Sequence, residues 1–127
     1  KPYHLFTSET GAEILVGKSA KDNDRLTFRH ANGLDWWLHA RDCPGSHVVL
    51  RSCKGQEPDG PSLADAAELA LRYSKVKDER RGDVCLTQVK AVAKVKGIPG
   101  KVMLSKHKVI HVVCDDERWN RLRHGKK

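Results

Sequence analysis

Apolar positions along the chain come mostly in short alternating runs, interrupted by one long stretch with helical spacing. Tyr3 to Ser8 and Ala12 to Gly17 are β-prone runs on either side of Glu9-Thr10-Gly11, which predicts an opening hairpin. Trp36 to Arg41 alternates, setting Trp37, His39 and Arg41 on one face and Trp36, Leu38 and Ala40 on the other. The β-branched run Ser46 to Arg51 follows Pro44-Gly45, so these two runs predict paired strands joined by a tight turn, with Gly45 supplying the positive φ of a type II turn. Val84 to Lys96, Lys101 to Ser105 and Lys108 to Val113 read as further strands, the first two separated by Gly97-Ile98-Pro99-Gly100. On the first of them Lys90, Lys94 and Lys96 share one parity and would line one face.

Ser62 to Val76 is the strongest helix. Leu63, Ala66, Ala67, Leu69, Ala70, Leu71 and Tyr73 supply a wide apolar face, and Ser62 with Asp65 matches a capping box. A second helix is expected over Ser19 to His30 and a short one over Asp115 to Leu122, with Arg123 to Lys127 as a frayed basic tail. Lys54 to Pro61 is a polar loop rich in helix and strand breakers. The fold class is therefore α+β, a mainly antiparallel sheet packed by one long helix and one or two shorter ones, in a single domain over residues 1–127.

Charge changes the picture through its distribution. The net +8 is uneven: residues 1–71 carry 8 Lys and Arg against 10 Asp and Glu, whereas residues 72–127 carry 16 against 6. Clustered cations of this kind steer polyanions and gain from counterion release, which puts nucleic acid first among partners. Basic residues from Arg72 to Arg81 also complement a helix C-terminus, so part of the cluster has a structural use. No apolar run approaches the roughly 20 residues of a membrane span, and the start KPYHLFTSET lacks the apolar centre of a signal peptide. The expectation is a cytoplasmic protein with no membrane contact. Cys43, Cys53, Cys85 and Cys114 show no CxxC spacing and read as reduced thiols.

The densest chemistry lies in DWWLHARDCPGSHVVL, Asp35 to Leu50. His39, Cys43 and His47 stand four apart, which would stack zinc ligands on a helix, but the pattern there is β with a Pro-Gly turn, so no metal or other cofactor is expected. Ser46 lies beside His47 without a GxSxG elbow, and Gly17-Lys18-Ser19 lacks the earlier glycine of a phosphate loop, since position 12 is Ala12. Asp22 and Asp24 read as charges of the predicted helix with Lys18, Lys21 and Arg25 as partners, a safer account than holding Mg²⁺ together with Asp35. Trp37, His39 and Arg41 combine rings with a cation, as recognition of unpaired RNA requires, although alternation sends at least one of Trp36 and Trp37 into the core.

The ordered segments GKSAKDNDRLTF (17–28), DWWLHARDCPGSHVVLR (35–51), LADAAELALRYSK (63–75) and VKAVAKVKGIPGKV (89–102) resemble the NFACT-R domain. That family is marked by a G[KR]xAxxND start, a DxWLHxxxxxGSHV centre, an AAxLAxxYSK helix and a Lys-rich segment ending in glycine, proline and glycine. The resemblance implies a module that binds tRNA or ribosomal RNA without chemistry of its own, in factors that act in ribosome-associated quality control at the large ribosomal subunit. It marks Lys18, Asn23, Asp24, Asp35, Trp37, His39, Gly45, Ser46, His47, Lys75, Lys94, Lys96, Gly97, Pro99 and Gly100. Two departures stand out: Leu86-Thr87 replaces a frequent Tyr-Thr pair, and KVKGIPG is shorter than the family's usual segment. The glycosylase-like and coiled-coil companions of the larger proteins have no counterpart in these residues, so an excised fragment and a stand-alone form are both open.

Lys18, Arg41, Lys75, Lys94 and Lys96 are the expected phosphate contacts, with Trp37, His39 and His47 as base-contacting or shape-setting groups. Two other readings stay open at this point. One is an RNA-processing or modifying module using His39, His47 and Asp35; the other is a protein adaptor presenting its basic face to an acidic partner.

Overall fold

The computed structural model describes residues 1–127, and the predicted runs appear as β1 (Tyr3–Thr7), β2 (Glu13–Gly17), β3 (Trp36–Ala40), β4 (Val48–Leu50), β5 (Arg81–Gln88), β6 (Val92–Lys94), β7 (Val102–Leu104) and β8 (Lys108–Val113). Six of them form an antiparallel sheet in the order β1-β2-β4-β3-β5-β8, and β6 pairs with β7 in a separate hairpin. In the centre Leu38 lies opposite Val48 on one side and Leu86 on the other. The fold is α+β, with an open sheet.

Both faces of the central strands are covered. Ile14, Val16, Leu38, Val48, Leu50 and Val84 pack against Ala66, Leu69 and Ala70 of helix α2 (Gly60–Arg72). On the opposite face Leu15, Trp37, Val49 and Cys85 form a smaller core with Leu26, Val89 and Val92. Burial on two sides explains why Val48-Val49-Leu50 is apolar throughout, where a one-sided strand would alternate. That second face is covered by Leu26 and Phe28, which follow helix α1 (Ala20–Arg25), and by Val92, Val102 and Leu104 of the β6–β7 hairpin. Ser19 caps α1 by accepting from the Asp22 N–H at 3.1 Å, and the chain winds on as a π-helical turn over Leu26–His30, so the helix expected from Ser19 to His30 is one continuous element.

Several local expectations are corrected. Helix α2 begins at Gly60, capped by Asp59, whose carboxylate accepts from the Ser62 N–H at 2.8 Å; Ser62 is inside the first turn, and Asp65 faces an arginine instead of closing a capping box. It ends at Arg72, short of Val76. The link between β3 and β4 is a loop from Arg41 to His47, not a tight turn, and its left-handed residue is Asp42 (φ 55°). Gly45 is needed for a different reason: it forms a β-bridge with Ser74, and a Cβ on it would lie 3.0 Å from the Ser74 Cβ. The strand expected from Val84 to Lys96 breaks at Val89–Ala91, a 3-10 turn, because the Val89 and Lys90 N–H groups bond the Asp35 and Gly33 carbonyls at 2.9 Å each. Of the three lysines expected on one strand face, only Lys94 lies in a strand; Lys90 is in the 3-10 turn and Lys96 in the turn after β6.

The C-terminus is ordered. Helix α3 (Asp116–His124) continues past Leu122, and the last residue returns to the sheet, with the Lys127 N–H donating to the Leu5 carbonyl at 2.8 Å. Arg121 grips Asp65 with two bonds of 3.0 and 2.7 Å, and Arg118 reaches Glu68 at 3.2 Å. Both carboxylates are fully buried on α2, so α3 is held by ion pairs as well as by Leu122. All four cysteines are free, and no helix is long and apolar enough to cross a membrane.

Candidate nucleic-acid interface

The loop from Arg41 to His47 is the hub of one end of the sheet. The Gly17 N–H donates to the His47 carbonyl at 3.0 Å, and the Ser46 hydroxyl donates to the Gly17 carbonyl at 2.7 Å, which fixes neighbouring Lys18 beside the loop. The Lys75 N–H donates to the Pro44 carbonyl at 3.0 Å, which brings Lys75 to the same place. From the second face the His47 Nε2–H donates to the Gly100 carbonyl at 2.8 Å, and the Gly100 N–H donates to Asp24 at 3.0 Å. The turn of the β6–β7 hairpin is thereby clamped to the hub, with Lys94, Lys96 and Lys101 on it; Lys94 approaches Asp24 at 3.8 Å.

Two glycines make this closeness possible. A Cβ on Gly17 would lie 1.9 Å from Asn23 Oδ1, the atom that accepts the His47 N–H at 3.0 Å. Gly100 has φ 81° and sits 3.3 Å, at its missing Cβ, from Ala20 Cα. The G-K-x-A-x-x-N-D pattern thus describes a packing junction: Gly17 and Ala20 leave room, Asn23 and Asp24 bond across it.

The pairing of Leu38 with Val48 sets His47 on the same face as His39 and Trp37. The rings of Trp37 and His39 stack 9° from parallel at 5.7 Å, and His47 meets both edge-on at 5.1 and 5.7 Å. His47 is 1% exposed, and with Nε2 donating to Gly100 its Nδ1 accepts from the Thr27 hydroxyl at 2.8 Å. Burial pushes its pKa down to about 4, against the opposing pull of the Gly100 carbonyl, so the ring is neutral. His39 is half-buried, donates to the Gly45 carbonyl at 3.2 Å, and also has a lowered pKa through burial.

Of the expected site residues, Lys18, Arg41, Lys75, Lys94 and Lys96 are exposed, whereas Trp37 and His47 are buried. Arg41 has carboxylate neighbours, Asp42 at 3.5 Å and Asp83 at 3.8 Å. Lys101 belongs with this group although sequence reasoning passed over it; the signal was its place directly after the turn glycine Gly100. Between the hub loop and the β6–β7 hairpin lies a cleft of about 430 Å³, lined by Trp37, His39, Arg41, His47, Lys101 and Val102 among others.

The catalytic trio suggested by His39, His47 and Asp35 is not assembled. Asp35 lies at the opposite end of β3, about 13 Å away at strand rise, where it is 2% exposed and accepts from the Asn32 and Ser52 N–H groups at 2.8 and 2.9 Å and from Arg51 at 3.3 Å. Ser46 spends its hydroxyl proton on Gly17. His47 has no nitrogen lone pair left for a metal, and no cluster of three or more His, Cys, Asp or Glu side chains is arranged to hold one.

A family model described as the NFACT protein RNA binding domain matches residues 2–106. The chain is 40% identical over 111 residues to the Rqc2 homolog RqcH of Bacillus subtilis (strain 168), covering 87% of this chain and 19% of that protein. It is 34% identical over 119 residues to the Rqc2 homolog RqcH of Streptococcus suis (strain 05ZYH33), covering 93% of this chain and 21% of the relative. The chain thus spans about a fifth of the length of these relatives. Among solved structures it is similar to the C-terminal part of the fibronectin/fibrinogen-binding protein from Streptococcus suis, with a TM-score of 0.89 and 32% identity over 100% of this chain and 50% of that one.

Proposed function

This chain belongs to the family of NFACT protein RNA binding domains, and on that premise we propose that it holds a structured RNA, tRNA or ribosomal RNA, against the basic end of its sheet without chemistry of its own. The observation that carries the reading is the gathering of Lys18, Arg41, Lys75, Lys94, Lys96 and Lys101 around one loop by backbone and ring contacts from four separate chain segments. Lys18 and Arg41 come from the first half of the sequence and Lys75, Lys94, Lys96 and Lys101 from the more basic second half. We further infer a role in ribosome quality control, with the large ribosomal subunit as the RNA-rich surface and the cytoplasm as the compartment, a reading supported by the similarity to Rqc2 homologs.

Salt dependence of binding to purified tRNA tests the reading. About six phosphate contacts would make affinity fall roughly 10³-fold between about 50 and 200 mM salt. A folded sample that fails to retard tRNA at low ionic strength would overturn it. An acidic protein partner would instead be marked by retention of that protein in the same salt series with no tRNA shift.

A further inference from the structure

Resting on that RNA-binding reading, we propose that the cleft below the basic rim receives one unpaired nucleobase of the bound RNA, so that the domain distinguishes looped or single-stranded RNA from a continuous duplex. Three independent features lead there. The cleft measures about 430 Å³, inside the roughly 300–1,000 Å³ range of small-ligand sites. Its walls combine an aromatic pair, Trp37 on His39, with Val102 and Leu104, while the cations Arg41 and Lys101 stand at its mouth. That is the order a nucleotide needs, base inside and phosphate outside.

The second feature is an unspent donor. The indole N–H of Trp37 is the one buried side-chain nitrogen or oxygen with no hydrogen-bond partner in the whole chain, and Trp37 forms part of the cleft wall. A buried donor without an acceptor is costly and uncommon; this nitrogen is closed to solvent, so a base carbonyl in the cleft would meet it only after a shift of the Trp37 ring or its neighbours. The third is charge. Burial lowers the pKa of both histidines, so the ring-lined part of the cleft is uncharged at neutral pH, and the charged groups of its lining are Arg41, Asp42 and Lys101. Duplex RNA cannot place a base there, since its bases stay stacked and its major groove is too narrow for side chains to read.

Cys43 offers a direct probe, because it lines the cleft and is partly exposed. In a Cys53→Ser background the remaining thiols, Cys85 and Cys114, are buried and held protonated by that burial. Iodoacetamide alkylation of Cys43 is followed by mass spectrometry with the protein alone, with a stem–loop RNA, and with a blunt duplex of equal length, each at a concentration where binding has been measured. The stem–loop is expected to slow alkylation roughly tenfold, in line with the fraction of molecules left open, and the duplex to leave it unchanged. Equal rates with both bound RNAs, protected or unprotected, would overturn the cleft assignment while leaving RNA binding intact. Absence of binding by either RNA removes the RNA-binding reading itself and this inference with it.

Discussion

Acid should unfold this domain earlier than its carboxylates alone would require, because of His47. Folding takes the imidazole from an ordinary 6.5 to about 4, chiefly by burial, with the Gly100 carbonyl and Asp24 opposing the shift and His39 reinforcing it. The sign follows from proton uptake. Between pH 6.5 and 4 the unfolded chain binds a proton that the folded ring refuses, so the contribution is complete above 6.5 and is lost as pH falls. The loss amounts to about 2 kcal/mol by about pH 5 and about 3 kcal/mol by about pH 4. Urea unfolding at a series of pH values measures it, with His47→Gln as the reference, since an amide does not titrate and can keep one of the two bonds to Thr27 and Gly100. The variant should be less stable at neutral pH yet show a flatter acid limb. If wild type and variant lose the same stability between about pH 7 and about pH 4, His47 is not the buried neutral ring described here.

Gly17→Ala should cost about 2–4 kcal/mol in thermal or urea unfolding, because its Cβ would land 1.9 Å from Asn23 Oδ1 and force Asn23 off the His47 N–H; a neutral effect would show that the junction gives way easily. Arg121→Ala leaves the Asp65 carboxylate, 1% exposed, with Arg118 at 3.7 Å as its remaining cation. A loss near the lower end of roughly 3–5 kcal/mol, together with faster proteolysis within α3, is expected, and unchanged protection of α3 would count against the ion-pair latch. Lys96→Glu with Lys101→Glu should weaken tRNA binding and reduce its salt slope by about 2, without the added repulsion that Lys94→Glu would bring beside Asp24; unchanged affinity would move the interface elsewhere. Asp24→Ala removes a negative charge yet should weaken RNA binding, since it releases the Gly100 N–H and with it the lysine-bearing turn; tighter binding would mean that charge outweighs placement.

Much of the fold was legible because alternation has a physical cause. The facing of Trp37, His39 and Arg41 against Trp36, Leu38 and Ala40 follows from the pleat alone, and it held. What alternation does not encode is where a strand stops. Val84 to Lys96 looked uninterrupted, yet the backbone of Val89 and Lys90 is captured by the loop before β3, a contact between positions more than fifty residues apart. Gly45 was read as a turn former from its proline neighbour, whereas its lack of a side chain serves the approach of Ser74. Asp59 was overlooked as the cap because Ser62 matched the capping-box spacing and the helix starts earlier.

The site divides along the same line. The exposure of the lysines and arginine expected to contact phosphate was readable because long cationic side chains stay exposed almost regardless of the fold. His47, Asn23, Asp24 and Ser46 spend polar atoms on backbone groups of neighbouring segments: Gly100 for His47 and Asp24, His47 for Asn23, and Gly17 for Ser46. Their work is to order the loops on which the cations stand, and that ordering cost is met when the domain folds. A rim assembled in advance loses less freedom when RNA arrives, so each charge counts for more than it would on a mobile loop. Such a junction also tolerates little change: with a Cβ at Gly17 clashing with Asn23, a positive φ and a tight approach to Ala20 at Gly100, and both nitrogens of His47 engaged, conservative substitutions there disturb several segments at once. The lysines carry no comparable steric constraint, which is why Lys101 joins the proposed rim without standing out as a motif residue.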